Sequence, residues 1–216
     1  MTGTRGQDGH KPTFREATEA DAAAAARLHA DEISEGFLSF LGPGFLTHLY
    51  RRISLSPSSF LIVAEADDHV VGFIAGSCDV TALYRSFVWR DGIRASLGVA
   101  RRLVLGWRRV LETLRHGAGD GAGTGEGTEL LAIAVDPSHQ GRGIGKGLVD
   151  SFLSEVDRTG GSTAYVIVAT GNSGAIDLYR RAGFVAAAEF ELHAGSRSLL
   201  LQWDPVAAGP GGRTPT

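Results

Sequence analysis

The sequence predicts an α/β fold: a mixed, mostly antiparallel sheet flanked by helices, with a helical insertion between the third and fourth strands. Three observations support this expectation. Apolar runs of strand length alternate with amphipathic helical segments along the chain. The runs 60–65 and 70–77 are separated by the short turn sequence ADDH, as in a β-hairpin. An arginine-rich segment with helical periodicity then interrupts the order before the next apolar run.

The composition is that of an ordinary globular protein, and it excludes several functional classes. The 216 residues carry a net charge of -3, with 43% hydrophobic and 21% charged residues, so no nucleic-acid partner is expected. A single cysteine excludes an internal disulfide framework, and without clustered Cys and His ligands no metal site is expected. No uninterrupted apolar run reaches the roughly eighteen residues of a membrane span. The single cysteine fits the reducing cytoplasm best, so a cytoplasmic location is expected.

The length suits a single domain, which we place at 13–204. Residues 1–12 lack the apolar region of a signal peptide and are expected to form a disordered leader. Residues 205–216 are rich in Pro and Gly and are expected to form a disordered tail. All the predicted elements therefore belong to one core.

The N-terminal part predicts one strand and two helices before the hairpin. Residues 13–16 are a candidate strand, and Thr18 and Asp21 have the spacing of a capping box that starts a helix over 22–33. A second helix is predicted over 43–53, because its apolar residues share one helical face. These residues are Phe45, Leu46, Leu49, Tyr50 and Ile53.

The segment 80–116 is the arginine-rich insertion. It contains eight arginines, and its apolar residues keep a helical period that predicts a helix over 95–114. A glycine-rich linker is expected over 117–128, because this stretch has nothing to bury. The insertion fits a lid over an anionic acceptor, a partner-binding surface, a membrane-surface helix, or an extra packed helix with a solvated basic face.

The C-terminal half predicts a regular succession of elements. A strand over 130–135 leads through a glycine-rich loop into a helix from about Gly143. A buried strand over 164–169 follows, and then a short helix that begins at Asn172 and is capped by Gly183. Two further strands are predicted over 185–192 and 198–203.

The glycine-rich loop predicts an anion-binding site. Backbone N–H groups converge on an anion where a glycine-rich turn enters a helix, at the positive end of the helix dipole. Gln140 and Gly147 stand where an ATP-binding P-loop has its first glycine and its Ser or Thr, which excludes that pattern. Lys146 stands where the third glycine of the dinucleotide pattern belongs. What remains is Gln140, Gly143 and Gly145 after an apolar strand.

This arrangement resembles the GCN5-related N-acetyltransferase (GNAT) family, whose acyl-CoA loop has the pattern Q/R-x-x-G-x-G/A after the fourth strand. The segment 178–184, LYRRAGF, is similar to the second signature of that family, at the expected distance. The resemblance covers 129–184 and implies a GNAT-like acyltransferase fold.

The resemblance implies acetyl-CoA as acyl donor. Its pyrophosphate is expected on the N–H groups of the loop, with two basic side chains that either add charge or are simply solvated. The resemblance also implies that the strand before the loop splays from its neighbour. The backbone of Ile133, Ala134 and Val135 is then expected to pair with the pantetheine arm and polarise the thioester. Asn172 lies near pantetheine in the family, although it fits an N-cap equally well. The loop residues are Gln140, Gly141, Arg142, Gly143, Ile144, Gly145 and Lys146.

The resemblance also implies two catalytic groups. Glu129 matches the family's general base, which removes a proton from the attacking amine; alternatively it is the exposed end of a strand. Tyr179 matches the position of the acid that protonates the departing thiolate; alternatively it is a core tyrosine. Asp31, Glu35 and Phe37 lie where the family forms its acceptor pocket, although helix packing explains the apolar member as well.

The predicted function is therefore acetyl transfer from acetyl-CoA to the primary amine of a small molecule, by direct attack in a ternary complex. Two alternatives stay open at this point. One is a catalytically silent acyl-CoA-binding regulatory module, and the other is a protein N-terminal or lysine acetyltransferase.

Overall fold

The structure is a computed structural model that describes residues 11–33, 41–91, 127–193 and 196–205. The predicted leader and tail, the helix over 95–114 and nearly all of the linker lie outside these ranges. The strands are β1 Thr13–Glu16, β2 Ser59–Ala66, β3 His69–Ser77, β4 Thr128–Val135, β5 Ala164–Ala169, β6 Val185–His193 and β7 Ser196–Trp203. The helices are α1 Ala22–Glu32, α2 Pro43–Leu55, α3 Val80–Arg90, α4 Ile144–Arg158 and α5 Ser173–Arg181.

The seven strands of the described ranges form one sheet in the order β1-β2-β3-β4-β5-β7-β6. All neighbouring strands are antiparallel except β4 and β5, which are parallel. This confirms the mixed, mostly antiparallel sheet. The helix α3 lies between β3 and β4 in the chain, which confirms a helical insertion at the predicted place.

Helices cover both faces of the sheet, and each face has its own core. One core contains Leu148 and Phe152 of α4 and Ile176 of α5. The other contains residues of α1 and α2 together with Leu83 and Phe87 of α3. Side chains of β2 alternate between these two cores, because successive residues of a strand point to opposite faces, and irregularities in the pairing of β3 with β2 and with β4 shift this alternation.

The helix α1 begins where the capping box predicts. The carboxylate of Asp21 accepts hydrogen bonds from the backbone N–H of Thr18 at 2.8 Å and from its hydroxyl at 2.9 Å. Arg15 on β1 donates to both oxygens of the same carboxylate, at 2.9 and 3.0 Å. The Arg15 guanidinium holds the pKa of Asp21 at about 2, below its usual range, while burial opposes this effect. The start of α1 is therefore tied to the sheet.

Two details of the insertion differ from the prediction. The linker was expected to extend to Thr128, but this residue is buried in β4, where its N–H donates to the carbonyl of Thr163 at 2.9 Å. The first helix of the insertion, α3, was not predicted separately. Its N-cap Asp79 accepts a hydrogen bond from the N–H of Ala82 at 2.8 Å, which satisfies one of the free donors of the first turn.

Candidate active site

The strands β4 and β5 lie side by side but separate after two residues. Both strands are fully described, and they pair at Thr128 with Ala164 and at Glu129 with Tyr165. From Leu130 onward β4 is paired with β3 alone within the described part of the chain. The two strands therefore form a cleft with its apex at Glu129 and its open end at Val135. This is the separation of strands that the family resemblance implied.

The edge of β4 that lines the cleft offers unpaired peptide groups. The N–H of Asp136 donates to the carbonyl of Val71 at 2.8 Å, which fixes the alternation of hydrogen bonds between β3 and β4. In an antiparallel pair every second residue directs both backbone groups to the partner strand. The backbone N–H and C=O of Ala134 consequently point toward β3, whereas those of Ile133 and Val135 point into the cleft. Of the three residues predicted to pair with pantetheine, only Ile133 and Val135 therefore present backbone groups to the cleft.

The glycine-rich loop turns the chain from β4 into α4. Gly141 has a φ of 74° and Gly143 a φ of 81°, a left-handed region that favours glycine. The side-chain amide of Gln140 donates to the carbonyl of Val135 at 2.9 Å. Gln140 was predicted as a cofactor-binding residue, and its side chain holds the loop against the end of β4. The motif alone does not distinguish these roles.

The start of α4 presents free donors at the open end of the cleft. The first hydrogen bond inside this fully described helix runs from the N–H of Gly147 to the carbonyl of Gly143, at 2.9 Å. The N–H groups of Ile144, Gly145 and Lys146 therefore have no partner inside the helix. A Cβ added at Gly143 would meet no heavy atom within 4 Å among the described residues. An anion can therefore approach this backbone closely.

The two predicted basic side chains of the loop are exposed. Arg142 is exposed, and Lys146 forms an ion pair with Asp150 at 2.6 Å along the helix surface. At Gly145 an added Cβ would lie 3.4 Å from Cδ2 of Leu178 on α5, an ordinary van der Waals distance, so packing on α5 does not require a glycine there. The predicted charge contribution of these two side chains stays a prediction.

Glu129 lies at the cleft apex and is partly buried. The hydroxyl of Tyr165 on β5 donates to Oε2 of Glu129 at 3.3 Å. Burial raises the pKa of Glu129 above its usual range, and the hydrogen bond from Tyr165 opposes this rise. The alternative of a freely exposed strand end is therefore wrong. A carboxylate with a raised pKa is better matched to accepting a proton near neutral pH.

A tyrosine of the insertion also lies near this carboxylate. Burial raises the pKa of Tyr84 on α3 to about 12, and the charge of Glu129 contributes to the rise. Neither Tyr84 nor Tyr165 was predicted as a site residue. Tyr165 could be recognised as a site residue only from the face of β5 on which it lies and from its pairing with Glu129. That strand register cannot be obtained from one sequence.

Tyr179 on α5 is buried, with an exposed fraction of 4%. Its ring packs on Phe184, with the ring centroids 5.6 Å apart. Burial raises its pKa above the usual range, so the phenol stays protonated at neutral pH and is able to donate. The burial of Tyr179 in the core is therefore compatible with its predicted role as the acid that protonates the departing thiolate.

Glu129 and Tyr179 belong to opposite faces of the sheet. Leu130 lies in the core of α4 and α5, so Glu129 faces the other core, beneath α1, α2 and α3. Tyr179 belongs to the core of α4 and α5. The two residues predicted as base and acid therefore lie on opposite faces of the sheet.

The remaining predicted site residues are less closely tied to the cleft. Asn172 acts as the N-cap of α5, where its Oδ1 accepts from the N–H of Ala175 at 3.0 Å. Asp31 is exposed near the end of α1. Glu35 and Phe37 lie outside the described residues. In the described ranges no group of three or more His, Cys, Asp or Glu is arranged to hold a metal ion.

The comparison with family models decides the family. The model of the acetyltransferase (GNAT) family matches residues 30–184, which is more than two thirds of the chain. The chain belongs to the GNAT family. The matched region includes the cleft, the loop and Tyr179.

Two curated GNAT relatives match a shorter segment. The ribosomal protein bS18-alanine N-acetyltransferase of Escherichia coli K12 is 38% identical over 55 residues, which is 26% of this chain and 37% of that protein. The N-alpha-acetyltransferase RimI of Mycobacterium tuberculosis is 45% identical over 56 residues, 26% of this chain and 34% of that protein. The match thus spans little more than a third of either relative.

A solved GNAT structure matches most of the fold. YncA of Salmonella typhimurium, described as a putative acetyltransferase with its cofactor acetyl-CoA, superposes with a TM-score of 0.61. The match covers 90% of this chain and 94% of that chain at 17% sequence identity. Within the described part of this chain, no helix is both long enough and apolar enough to cross a membrane.

Proposed function

We propose that this protein is an N-acetyltransferase that transfers the acetyl group of acetyl-CoA to the primary amine of a small molecule, in the cytoplasm. The observation that carries the proposal is the cleft between β4 and β5. It joins a glycine-rich helix start at its open end to a partly buried carboxylate, Glu129, at its apex.

The donor would lie along the cleft. Its pyrophosphate would bind the free N–H groups of Ile144, Gly145 and Lys146, at the positive end of the α4 dipole. The unpaired peptide groups of Ile133 and Val135 would pair with the pantetheine arm. The six residue steps from Val135 back to Glu129 correspond to roughly 20 Å of strand. This brings the thioester end of an extended donor toward the apex.

The reaction would be a direct attack in a ternary complex. An ammonium ion has no lone pair, so Glu129 would first accept a proton from the acceptor, directly or through water. The neutral amine attacks the thioester carbonyl and the C–N bond forms, after which the nitrogen loses its second proton to solvent. The C–S bond breaks as the tetrahedral intermediate collapses, and Glu129 releases its proton to solvent. Tyr179 would donate its proton to the departing thiolate, and it is reprotonated from solvent. No covalent enzyme intermediate is required.

A second acceptor class is favoured by the curated relatives. One of them is named for N-acetylation of an alanine of a ribosomal protein, and it is 38% identical to this chain over 55 residues. The second candidate is therefore acetylation of a protein N-terminus. Both candidates share the donor cleft and differ in what occupies the face covered by α1, α2 and α3.

The test combines binding and turnover. Calorimetry with acetyl-CoA measures donor binding, and thiol release reports turnover with small primary amines, N-terminal alanine peptides and lysine peptides. Turnover on small amines supports the first candidate, whereas preferential turnover on alanine peptides supports the second. Binding without thiol release on any acceptor would instead support a silent acyl-CoA-binding module. No binding of acetyl-CoA would refute the proposal in all its forms.

A further inference from the structure

The apex of the cleft brings a tyrosine hydroxyl onto the candidate base. Tyr165 donates to Oε2 of Glu129 at 3.3 Å, at the last residue pair shared by β4 and β5. Because both backbones are paired at this point, the sheet register sets the distance between the two side chains. The hydrogen bond is thus supported by regular secondary structure.

We propose that Tyr165 is a positioning residue for Glu129, holding one carboxylate oxygen at the cleft apex so that the other is free to accept a proton from the acceptor amine. This inference rests on the base role of Glu129 in the proposed function. It adds a residue of β5 that neither family signature includes.

The hydrogen bond opposes the effect of burial on the base. Burial raises the pKa of Glu129, and the hydrogen bond from Tyr165 lowers it, because a donated hydrogen bond stabilises the ionised carboxylate. The same contact raises the pKa of Tyr165, whose rise comes first from burial and then from the charge of Glu129. The phenol therefore remains a donor over the pH range in which Glu129 ionises.

Other titratable groups on this face leave the assignment to Tyr165 intact. Ser77 of β3, directly opposite Glu129, is neutral. Among the described residues Tyr84 makes no hydrogen bond to Glu129, and it stays neutral below about pH 12. Burial lowers the pKa of His29 on α1 to about 4, and its Nδ1 is 2.6 Å from the hydroxyl of Tyr50.

The helices also contribute a buried ion pair to this face. Asp91, at the end of α3, accepts from Nε of Arg52 at 2.6 Å. The two opposite charges are therefore paired with each other.

The main test is the pH dependence of Tyr165→Phe, which removes the hydroxyl and keeps the ring. The acid limb of kcat/KM for the amine should move up by about 0.5 to 1 pH unit, a shift typical of one lost hydrogen bond to a carboxylate. At neutral pH kcat should fall about 3- to 10-fold, and KM for acetyl-CoA should stay unchanged. A profile that superposes on that of the wild type would overturn the proposal.

Tyr84→Phe is the matched control, because it makes the same chemical change near the same carboxylate without breaking a hydrogen bond to it. It should leave the acid limb in place. An equal shift of the acid limb in Tyr84→Phe would overturn the proposal, because the shift would then follow from the loss of any nearby phenol and not from the loss of the hydrogen bond. In a Glu129→Gln background, Tyr165→Phe should have no further effect on kcat, and additive losses would also contradict the proposal.

A measurement without turnover separates this inference from the proposed function. The carboxylate of Glu129 is followed by NMR in protein with ¹³C-labelled glutamate, and its signal is assigned by its loss in Glu129→Gln. Its titration should move to higher pH in Tyr165→Phe and stay in place in Tyr84→Phe. An unchanged titration overturns the positioning role, whereas a shifted titration in a protein that acetylates no amine overturns the enzymatic proposal alone.

Discussion

The two sides of the cleft differ in the chemical groups that they present. The proposed donor side, formed by β4, the loop 136–143 and α4, presents backbone N–H groups held by two left-handed glycines and by Gln140. The proposed acceptor side is the surface beneath α1, α2 and α3, and it presents the side chains of Glu129, Tyr165 and Tyr84. Backbone groups bind any ligand that carries a suitably placed pyrophosphate and pantetheine arm. Side chains, in contrast, select among ligands of different shape and charge.

This difference suggests how one fold accepts a fixed donor and a variable acceptor. The donor side depends on torsion angles and strand separation, so substitutions there should affect acetyl-CoA binding regardless of the amine. The acceptor side depends on groups that α3 and β5 bring to the apex, so substitutions there should affect turnover and acceptor choice. Four variants test this division, from the largest expected effect to the smallest.

Gly143→Glu should weaken acetyl-CoA binding at least about 100-fold. The substitution forces a side chain into a positive-φ conformation and places a carboxylate where the pyrophosphate would bind. Isothermal calorimetry measures the effect. Gly44→Glu is the control, because Gly44 lies in the first turn of α2, on the proposed acceptor side, where an added Cβ would meet no described heavy atom within 4 Å. Equal loss of binding in both variants would contradict the division.

Tyr179→Phe should lower kcat about 100-fold and leave the dissociation constant of acetyl-CoA within about twofold. The ring still packs on Phe184, so the fold and the donor side are preserved. Steady-state kinetics on the best amine, with calorimetry on the same protein, measure the two quantities. Unchanged kcat would remove Tyr179 from the chemical step and leave it a packing residue.

Asp21→Asn should destabilise the acceptor side in a pH-dependent way. The folded pKa of Asp21 is about 2, below its usual 3.8, so its ion pair stabilises the protein above about pH 4. That stabilisation is lost as the pH falls through about 2. The shift corresponds to about 2 kcal/mol at neutral pH. Urea unfolding at pH 7 should show this loss, and the difference from wild type should shrink at acid pH. A loss that is independent of pH would contradict the ionic origin.

The donor side was largely predictable from the sequence, because its chemistry is local. Glycines at 141 and 143 after an apolar strand indicate a turn into a helix, and the structure has that turn. The helix α3 and the contact between Tyr165 and Glu129 were not predicted. The contact depends on the register of two strands, because its two residues are 36 positions apart in the chain and strand register is set by packing across the whole sheet.

The predicted acceptor residues also show that sequence order alone does not determine which side chains meet at the cleft. Asp31 was predicted from the family resemblance as a residue of the acceptor pocket. It is exposed near the end of α1, whereas the carboxylate at the cleft apex comes from β4. Sequence order places a residue near an element, but the face of the sheet decides which residues meet at the cleft.

The smallest effect is expected for Gln140→Ala, and it separates backbone geometry from charge on the donor side. The substitution removes the hydrogen bond to the carbonyl of Val135, and loss of about 1 kcal/mol should weaken acetyl-CoA binding about fivefold. Arg142→Ala is the comparison, because it removes an exposed charge from the same loop.

The two effects should respond differently to salt. A contribution from exposed charge is screened as ionic strength rises, so any loss in Arg142→Ala should diminish at high salt. The loss in Gln140→Ala should persist, because the hydrogen bond acts by holding the loop conformation. If the Gln140→Ala effect also disappears at high salt, the loop binds the donor through its electrostatic potential, and the backbone would no longer explain the donor side.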